Sequence, residues 1–182
     1  ALYLASRGIK VFPAVAWDKE RYESCQAEYL AEKAKPAADR DKKKAEQGYY
    51  KRYGGKAPPF RDQYKKATTD EATIREWWGR GKAYEGRNVC LATGEDSGLV
   101  VLDIDVKSGE DDGFLWWNEL TAKHGDIATL KVRTGGESQG GQHLYFLWRE
   151  GAVSRNGLAP GIDFRSNDGH VMASLSMCQG VY

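Results

Sequence analysis

The sequence predicts a mixed α/β domain with a mainly antiparallel sheet. Two observations lead to this fold class. Short apolar stretches bounded by glycine, asparagine and serine recur along the chain, as is typical of strands joined by turns. Segments with apolar residues at helical spacing lie between some of them. With 182 residues, 41% of them hydrophobic, the chain is long enough for one domain with a sizeable core or for two small lobes.

The first third of the chain divides into a helix, a strand and a charged insertion. The helix covers residues 1–7 and ends at Gly8, a common C-cap position. From about 18 to 55 the segment is rich in Lys, Glu, Asp and Ala and poor in apolar residues, so we expect it to project from the core or lie across its surface. The predicted elements here are a strand at 9–13 and helices at 25–35 and 38–49, separated by Pro36.

The rest of the chain alternates helices with short strands. Thr69 is the predicted N-cap of a helix that ends near Trp78, because a short polar side chain can satisfy the first free N–H groups. Glycines between strands 88–92 and 99–105 predict a turn, so we expect these strands to form a hairpin. The remaining predicted elements are a helix at 113–123 and strands at 130–134, 143–148, 161–165 and 169–173.

The most informative feature is the tripeptide Asp103-Ile104-Asp105, which follows the apolar run 99–102. Side chains alternate along a strand, so both aspartates point to the same face. Two carboxylates side by side repel each other and are costly to bury unless a cation lies between them. Oxygen ligands of this kind suit Mg²⁺ or Mn²⁺. The alternative is a pair of solvated aspartates at a strand end.

Two further strand ends carry polar side chains: His143, and the pair Asp163 and Arg165. A third carboxylate beside the first two would complete a pocket for two divalent ions roughly 3.5–4 Å apart, which can hold both the attacking and the leaving oxygens of a phosphoryl transfer. His143 and Arg165 would supply hydrogen-bond donors and positive charge for a triphosphate. Each feature alone also fits a structural histidine or a surface ion pair.

Several segments occur together in a fixed order along the chain. Outside the strand ends they are 8–13, 55–58, 67–70, 74–78 and 88–94; the strand-end motifs are 100–105, Thr134 with 140–146, and 161–165. In this order they resemble the bifunctional primase-polymerase (prim-pol) domains of the archaeo-eukaryotic primase superfamily. These domains lie at the N-terminus of replication proteins of plasmids, phages and integrated elements, and the resemblance runs nearly from end to end.

The resemblance implies a two-part fold in which an RRM-like sheet carries the metal site. It implies template-directed nucleotidyl transfer that makes primers and often extends them. Asp103, Asp105 and Asp163 would be catalytic and would bind two Mg²⁺ or Mn²⁺ ions. His143, also a catalytic residue, would contact the phosphates of the incoming nucleotide together with Arg165. Thr134 and Gly141 would complete the nucleotide pocket.

The implied partners are nucleoside triphosphates, a single-stranded DNA template and a fused or associated helicase. The net charge of +1 gives no overall nucleic-acid signature. The insertion nevertheless has dense basic points with tyrosines available for stacking, the alternative being a solvated helical face. The candidate template contacts are Lys43, Lys51, Arg52 and Lys56, and the candidate stacking residues are Tyr49, Tyr50 and Tyr53.

The sequence departs from the family pattern at two places near the site. The turn between Thr134 and Gly140 is longer than usual, and Gln139 stands where serine is common. His170 stands where the family usually has tyrosine after its third motif, which introduces a polar group near the site.

Composition limits the remaining possibilities. The three cysteines lie far apart and form no C-x-x-C pair, so we expect no zinc and a reducing, cytoplasmic setting. No apolar run is long enough to span a membrane, and no secretory signal is visible. The chain begins and ends abruptly, so we expect a prim-pol catalytic domain, residues 1–182, taken from a longer replication protein.

Three alternatives stay open. A metal-dependent nuclease can use a similar carboxylate cluster but needs no triphosphate pocket. A non-catalytic single-stranded nucleic-acid-binding module would stack bases on exposed sheet aromatics such as Tyr145, although the intact acidic triad argues against it. A glycosyltransferase with an Asp-x-Asp motif explains neither His143 nor the Asp163–Arg165 pair.

Overall fold

The computed structural model describes residues 1–46, 48–57, 59, 63–106, 112–134, 140–174 and 176. Within these ranges, eight strands form two sheets and six α-helices surround them. The strands are β1 Val11–Pro13, β2 Val89–Ala92, β3 Leu99–Ile104, β4 Leu130–Arg133, β5 Gln142–Leu147, β6 Arg155–Ala159, β7 Ile162–Arg165 and β8 His170–Met172. The helices are α1 Leu2–Ala5, α2 Lys19–Ala34, α3 Gly48–Lys51, α4 Gln63–Lys66, α5 Glu71–Trp78 and α6 Gly113–His124.

Both sheets are antiparallel, which confirms the predicted fold class. The small sheet has the order β1-β2-β8, and the large sheet has the order β4-β5-β3-β7-β6. β3 is therefore the central strand of the large sheet. Of the two strands that flank it, β5 carries His143, and β7 carries Asp163 and Arg165.

β3 is buried on both faces, which explains its unbroken apolar run. On one face, Leu102 and Ile104 pack with Trp117 of α6. On the other face, Val101 packs against the small sheet, where Leu91 belongs to the same core. Asp103 continues the Val101 face one step beyond this packing, so its carboxylate lies at the margin of the core between the sheets.

The predicted hairpin between strands 88–92 and 99–105 is wrong, because β2 and β3 belong to different sheets. A short 3₁₀ turn at Glu95–Ser97 separates them. The Thr93 N–H donates to the Gly169 carbonyl at 3.0 Å, directly before β8, and its hydroxyl donates to the Ser166 carbonyl at 2.6 Å, so the end of β2 is held to β8 and the turn before it. A turn-rich sequence predicts a change of direction, but not whether the next strand pairs with the previous one.

Helix α5 begins one residue later than predicted, because Asp70 is the N-cap and not Thr69. The Asp70 side chain accepts a 2.7 Å hydrogen bond from the N–H of Thr73. Thr68 contributes a second turn by accepting from the Asp70 N–H at 3.0 Å. Ile74, only 1% exposed, anchors the helix in the core between the sheets.

Within the insertion, the predicted helix at 38–49 is wrong. The described residues of this segment contain a 3₁₀ turn at Ala37–Asp39 and only the short helix α3 at its end. The Asp41 carboxylate accepts from the N–H groups of Lys43 and Lys44, and the Glu32 carboxylate accepts from the Asp41 N–H. Side chains that bind nearby backbone groups in this way compete with helix formation.

The insertion closes on itself at its base. Trp17 and Gly54 form an isolated antiparallel bridge, and the Asp18 N–H donates to the Tyr53 carbonyl at 3.0 Å. The Tyr22 ring lies 5.2 Å from that of Trp17 and 5.3 Å from that of Tyr50. These aromatic contacts give the insertion a small core of its own.

The helix predicted at 25–35 is present but begins earlier, at Lys19, because Asp18 is its N-cap. The other predicted helices and strands are present with shifts of a few residues at their ends, and β6 and α4 were not predicted. Residues 135–139 of the predicted glycine-rich turn, including Gln139, lie outside the described residues. In the part of the chain that the structure describes, no helix is long and apolar enough to cross a membrane.

Candidate active site

The site is built around Asp103 on the central strand. Asp103 pairs in register with His143 of β5 on one side and with Asp163 of β7 on the other. Residues paired across antiparallel strands project from the same face, so three adjacent strands place these side chains in one row. The His143 Nε2 atom lies 3.3 Å from Asp103 Oδ1. The sequence predicted the three residues, and the strand pairing brings them together.

The carboxylates of Asp103, Asp105 and Asp163 converge. One oxygen from each lies within 4.8 Å of the others, and among the described residues this is the cluster that could hold a metal ion. Asp103 and Asp163 keep 16% and 24% of their side chains exposed, so the cluster is open to solvent. Such a set of oxygen ligands suits Mg²⁺ or Mn²⁺.

Asp105 lies just beyond β3 and is positioned through its backbone. Its N–H donates to the Gly161 carbonyl at 2.8 Å, and its carbonyl accepts from the Gly113 N–H at 3.0 Å. A Cβ atom at Gly161 would lie 2.8 Å from the backbone carbonyl oxygen of Asp105 and 2.5 Å from the backbone nitrogen of Gly113. Glycine is therefore required at 161 for this close approach, and the φ of +66° also favours it.

Arg165 lies two residues after Asp163 on the same face. Its Nη2 atom is 2.6 Å from Asp163 Oδ2 and 4.0 Å from Asp103 Oδ2, and its Nη1 atom donates to Asn156 Oδ1 at 2.6 Å. The N–H of Gly157 donates to Asp163 Oδ1 at 2.7 Å. The guanidinium thus offsets part of the charge repulsion between the carboxylates.

His143 and Tyr145 lie two residues apart on β5, on the face of the large sheet that carries Asp103. His143 is 7% exposed, and its Nδ1 atom has no hydrogen-bond partner among the described residues. The two rings lie edge to face with centroids 6.2 Å apart. Burial, together with the nearby Asp103 carboxylate, raises the pKa of Tyr145 to about 12. Tyr145 therefore stays a neutral hydroxyl beside the acidic cluster.

Thr134 and Gly141 meet at the same end of β3. The Thr134 N–H donates to the Gly141 carbonyl at 2.9 Å. Gly141 packs against the carbonyl of Ile104 so closely that no Cβ atom would fit there. The structure therefore places Gly141 against Ile104, the residue between Asp103 and Asp105, and places Thr134 beside Gly141.

His170 brings the small sheet to the site. Its ring lies 5.4 Å from that of Phe12, edge to face. Burial lowers the pKa of His170, and the positive charge of Arg165 lowers it further. His170 thus lies in β8 of the small sheet, and its pKa responds to the charge of Arg165.

The candidate template contacts lie in and after the insertion. Lys43, Lys51, Arg52 and Lys56 are all exposed. The Arg52 guanidinium lies 5.3 Å from the centroid of the Tyr49 ring and 5.9 Å from that of Tyr53.

The tyrosines of the insertion are already engaged within it. Tyr50 packs between Tyr22 and Tyr29, with ring centroids 5.3 and 5.1 Å away. The Tyr49 hydroxyl donates to a Glu28 carboxylate oxygen at 2.7 Å. Tyr50 is therefore part of the aromatic core of the insertion and not a free stacking surface.

Sequence reasoning missed Asn156 and Gly157 of β6. The strand reads Arg-Asn-Gly-Leu-Ala, which has neither the alternation nor the β-branched residues that mark a strand. Only its pairing with β7 brings these two residues to Asp163 and Arg165.

Taken together, the acidic triad on an antiparallel sheet, with a histidine and an arginine beside it, is the arrangement expected of a metal-dependent enzyme of phosphoryl-transfer type. The family model for the bifunctional DNA primase/polymerase N-terminal domain matches residues 1–182, which is the whole sequence. The chain therefore belongs to the Prim-Pol family, whose members are DNA primase/polymerase nucleotidyltransferases that act on DNA and nucleotides. A search of curated protein sequences found no match to this chain.

Proposed function

We propose that this domain catalyses template-directed nucleotidyl transfer with two divalent cations held by Asp103, Asp105 and Asp163. The observation that carries the proposal is the convergence of three carboxylates within 4.8 Å at the end of the central strand. Their donor set fits Mg²⁺ or Mn²⁺, since both ions prefer oxygen ligands. Bound there, the ions would activate the attacking 3′-hydroxyl and neutralise the charge of the leaving pyrophosphate.

The other residues of the site would hold the nucleotide. His143 and Arg165 flank the acidic cluster from opposite sides, so both can donate to a triphosphate bound over it. Thr134 and Gly141 would shape the pocket at the point where the Gly141 backbone packs against the Ile104 carbonyl. Phosphoryl transfer depends mainly on such positioning and charge stabilisation.

The single-stranded template would contact basic side chains in and just after the insertion. Lys43, Lys51, Arg52 and Lys56 are exposed there, and cations of this kind bind the phosphate backbone. We further propose that the domain serves replication of a plasmid, phage or other mobile element in the cytoplasm, together with a fused or associated helicase. The prim-pol resemblance of the chain supports this setting.

The test incubates the protein with single-stranded DNA, all ribo- and deoxynucleoside triphosphates and Mn²⁺, with and without an annealed primer. Wild-type protein is expected to make or extend strands. Asp103→Ala should lose this activity while keeping its fold, because removing one of several repelling carboxylates does not leave a buried charge unpaired. Asp126→Ala, an exposed aspartate outside the site, is the matched control and should stay active.

The outcomes separate the alternatives. Products that disappear only in Asp103→Ala support the nucleotidyltransferase, and the lane without primer distinguishes priming from extension. Degraded template points to a nuclease. DNA binding without synthesis, unchanged by Asp103→Ala, points to a binding module.

A further inference from the structure

We propose that Asn156 is a positioning residue that holds Arg165 in the orientation needed to receive the nucleotide phosphates. The proposal rests on the nucleotidyltransferase function proposed above. Its starting point is the 2.6 Å hydrogen bond from Arg165 Nη1 to Asn156 Oδ1, made from an edge strand that the sequence did not predict.

Arg165 is held at two points. Nη2 contacts Asp163 and Nη1 contacts Asn156, so the plane of the guanidinium is fixed by partners on two neighbouring strands. A cation coordinated by Asp163 would compete with Nη2 for the same carboxylate. Asn156 is then the anchor that remains, and it leaves Nη2 free to turn toward a phosphate oxygen.

The backbone of β6 is shaped for this contact. The register between β6 and β7 shifts between Arg155 and Ala159, and Gly157 has a φ of +62°. Irregularities of this kind re-aim side chains beside functional sites. Here the irregular stretch directs the Asn156 side chain to Arg165 and the Gly157 N–H to Asp163 Oδ1, so one short segment supports both residues.

An amide suits this position better than a carboxylate. The Asn156 oxygen accepts a hydrogen bond but carries no net charge, so Arg165 keeps its positive charge for a triphosphate. An aspartate would form a charge-assisted pair with the guanidinium and compete with the phosphates. Asn156 is also exposed, so replacing it leaves no cavity in the core.

The experiment measures binding of dATP with Mg²⁺ by titration calorimetry, without DNA, and kcat and KM for primer extension. Asn156→Ala is expected to weaken dATP binding and raise the nucleotide KM by about tenfold, as for the loss of one hydrogen bond to a charged group, with kcat changed less. Asn156→Asp should weaken binding at least as much, although it keeps the size and the acceptor. Asn118→Ala, an exposed asparagine on α6, is the matched control and should behave as wild type.

Wild-type dATP affinity in Asn156→Ala would overturn the proposal, and so would an Asn156→Asp protein that binds dATP as tightly as wild type. Urea unfolding of each variant separates a local effect from a loss of fold. If the wild-type protein binds dATP but extends no primer, the proposed function fails, while the binding comparison still decides the role of Asn156.

Discussion

At the scale of single residues, the backbone of Asp105 is held by two glycines far away in the chain, Gly113 at the start of α6 and Gly161 in the turn between β6 and β7. The Gly161 carbonyl accepts from its N–H and the Gly113 N–H donates to its carbonyl, so the third carboxylate of the cluster is positioned through the backbone. Nothing in the Asp-Ile-Asp motif itself indicates this support. The motif predicts the direction of the side chain, and the tertiary contact determines its exact place.

Gly161→Ala is expected to displace Asp105 and weaken Mn²⁺ binding, because its Cβ atom would lie 2.5 Å from the Gly113 nitrogen. Binding is measured by calorimetry and stability by urea unfolding. Gly151→Ala is the matched control, since Gly151 also has a positive φ, +85°, but its Cβ atom would meet nothing within 4 Å. Equal Mn²⁺ affinity in the two variants would contradict the role of Gly161.

His170 gives a prediction about pH. Burial and Arg165 lower its pKa below the ordinary 6.5, so the unfolded state takes up a proton before the folded state does. The free energy of unfolding is therefore expected to fall as the pH drops from about 6.5 through the pKa of the folded state. His170→Gln should flatten this part of the curve, measured by urea unfolding between pH 5 and 7.5. A slope unchanged by the substitution would contradict the assignment.

At the scale of elements, the segments predicted best are those with a strong local signal. β3, β5 and α6 have long apolar or amphipathic patterns, and all three were predicted within a few residues. The helix predicted at 38–49 failed because side-chain contacts to the backbone replace it with turns. β6 was missed because its sequence carries no strand pattern and it forms only by pairing with β7.

The proposed role of the insertion in template binding can be tested through the salt dependence of DNA binding. Lys51→Gln/Arg52→Gln is expected to weaken binding of single-stranded DNA. The logarithm of the binding constant falls with the logarithm of the salt concentration. The double variant should make this slope less steep by about 0.7 for each phosphate that the protein no longer neutralises. Fluorescence anisotropy with a labelled oligonucleotide measures both quantities. Lys123→Gln on α6, on the opposite face of the large sheet from the site, is the control. An unchanged slope in the double variant would favour a solvated helical face.

At the scale of the whole molecule, the two sheets pack on each other through one core, and the site lies at its margin. Leu91 of β2, 4% exposed, shares this core with Val101 of β3. Asp103, which lies in register with His143 and Asp163, follows Val101 on the same face of β3. The site therefore depends on the small sheet, although that sheet contributes none of the three carboxylates.

Leu91→Ala is expected to lower the free energy of unfolding by about 2–5 kcal/mol, because it removes buried methyl groups and leaves a cavity. Leu147→Ala, at a leucine that is 77% exposed, should change it by less than about 0.5 kcal/mol. Urea unfolding followed by tryptophan fluorescence measures both. Similar losses in the two variants would contradict the assignment of this core.

The sequence by itself determined the α/β class, the shared face of Asp103 and Asp105, and the motif order that marks the family, because these follow from residue type and local spacing. Only the tertiary structure decided that β2 and β3 lie in different sheets. It alone also decided that Asp103 lies in register with His143 and Asp163, and that β6 supports Arg165 and Asp163. Strand pairing joins residues far apart in the chain, so it depends on how whole faces pack and not on any local pattern.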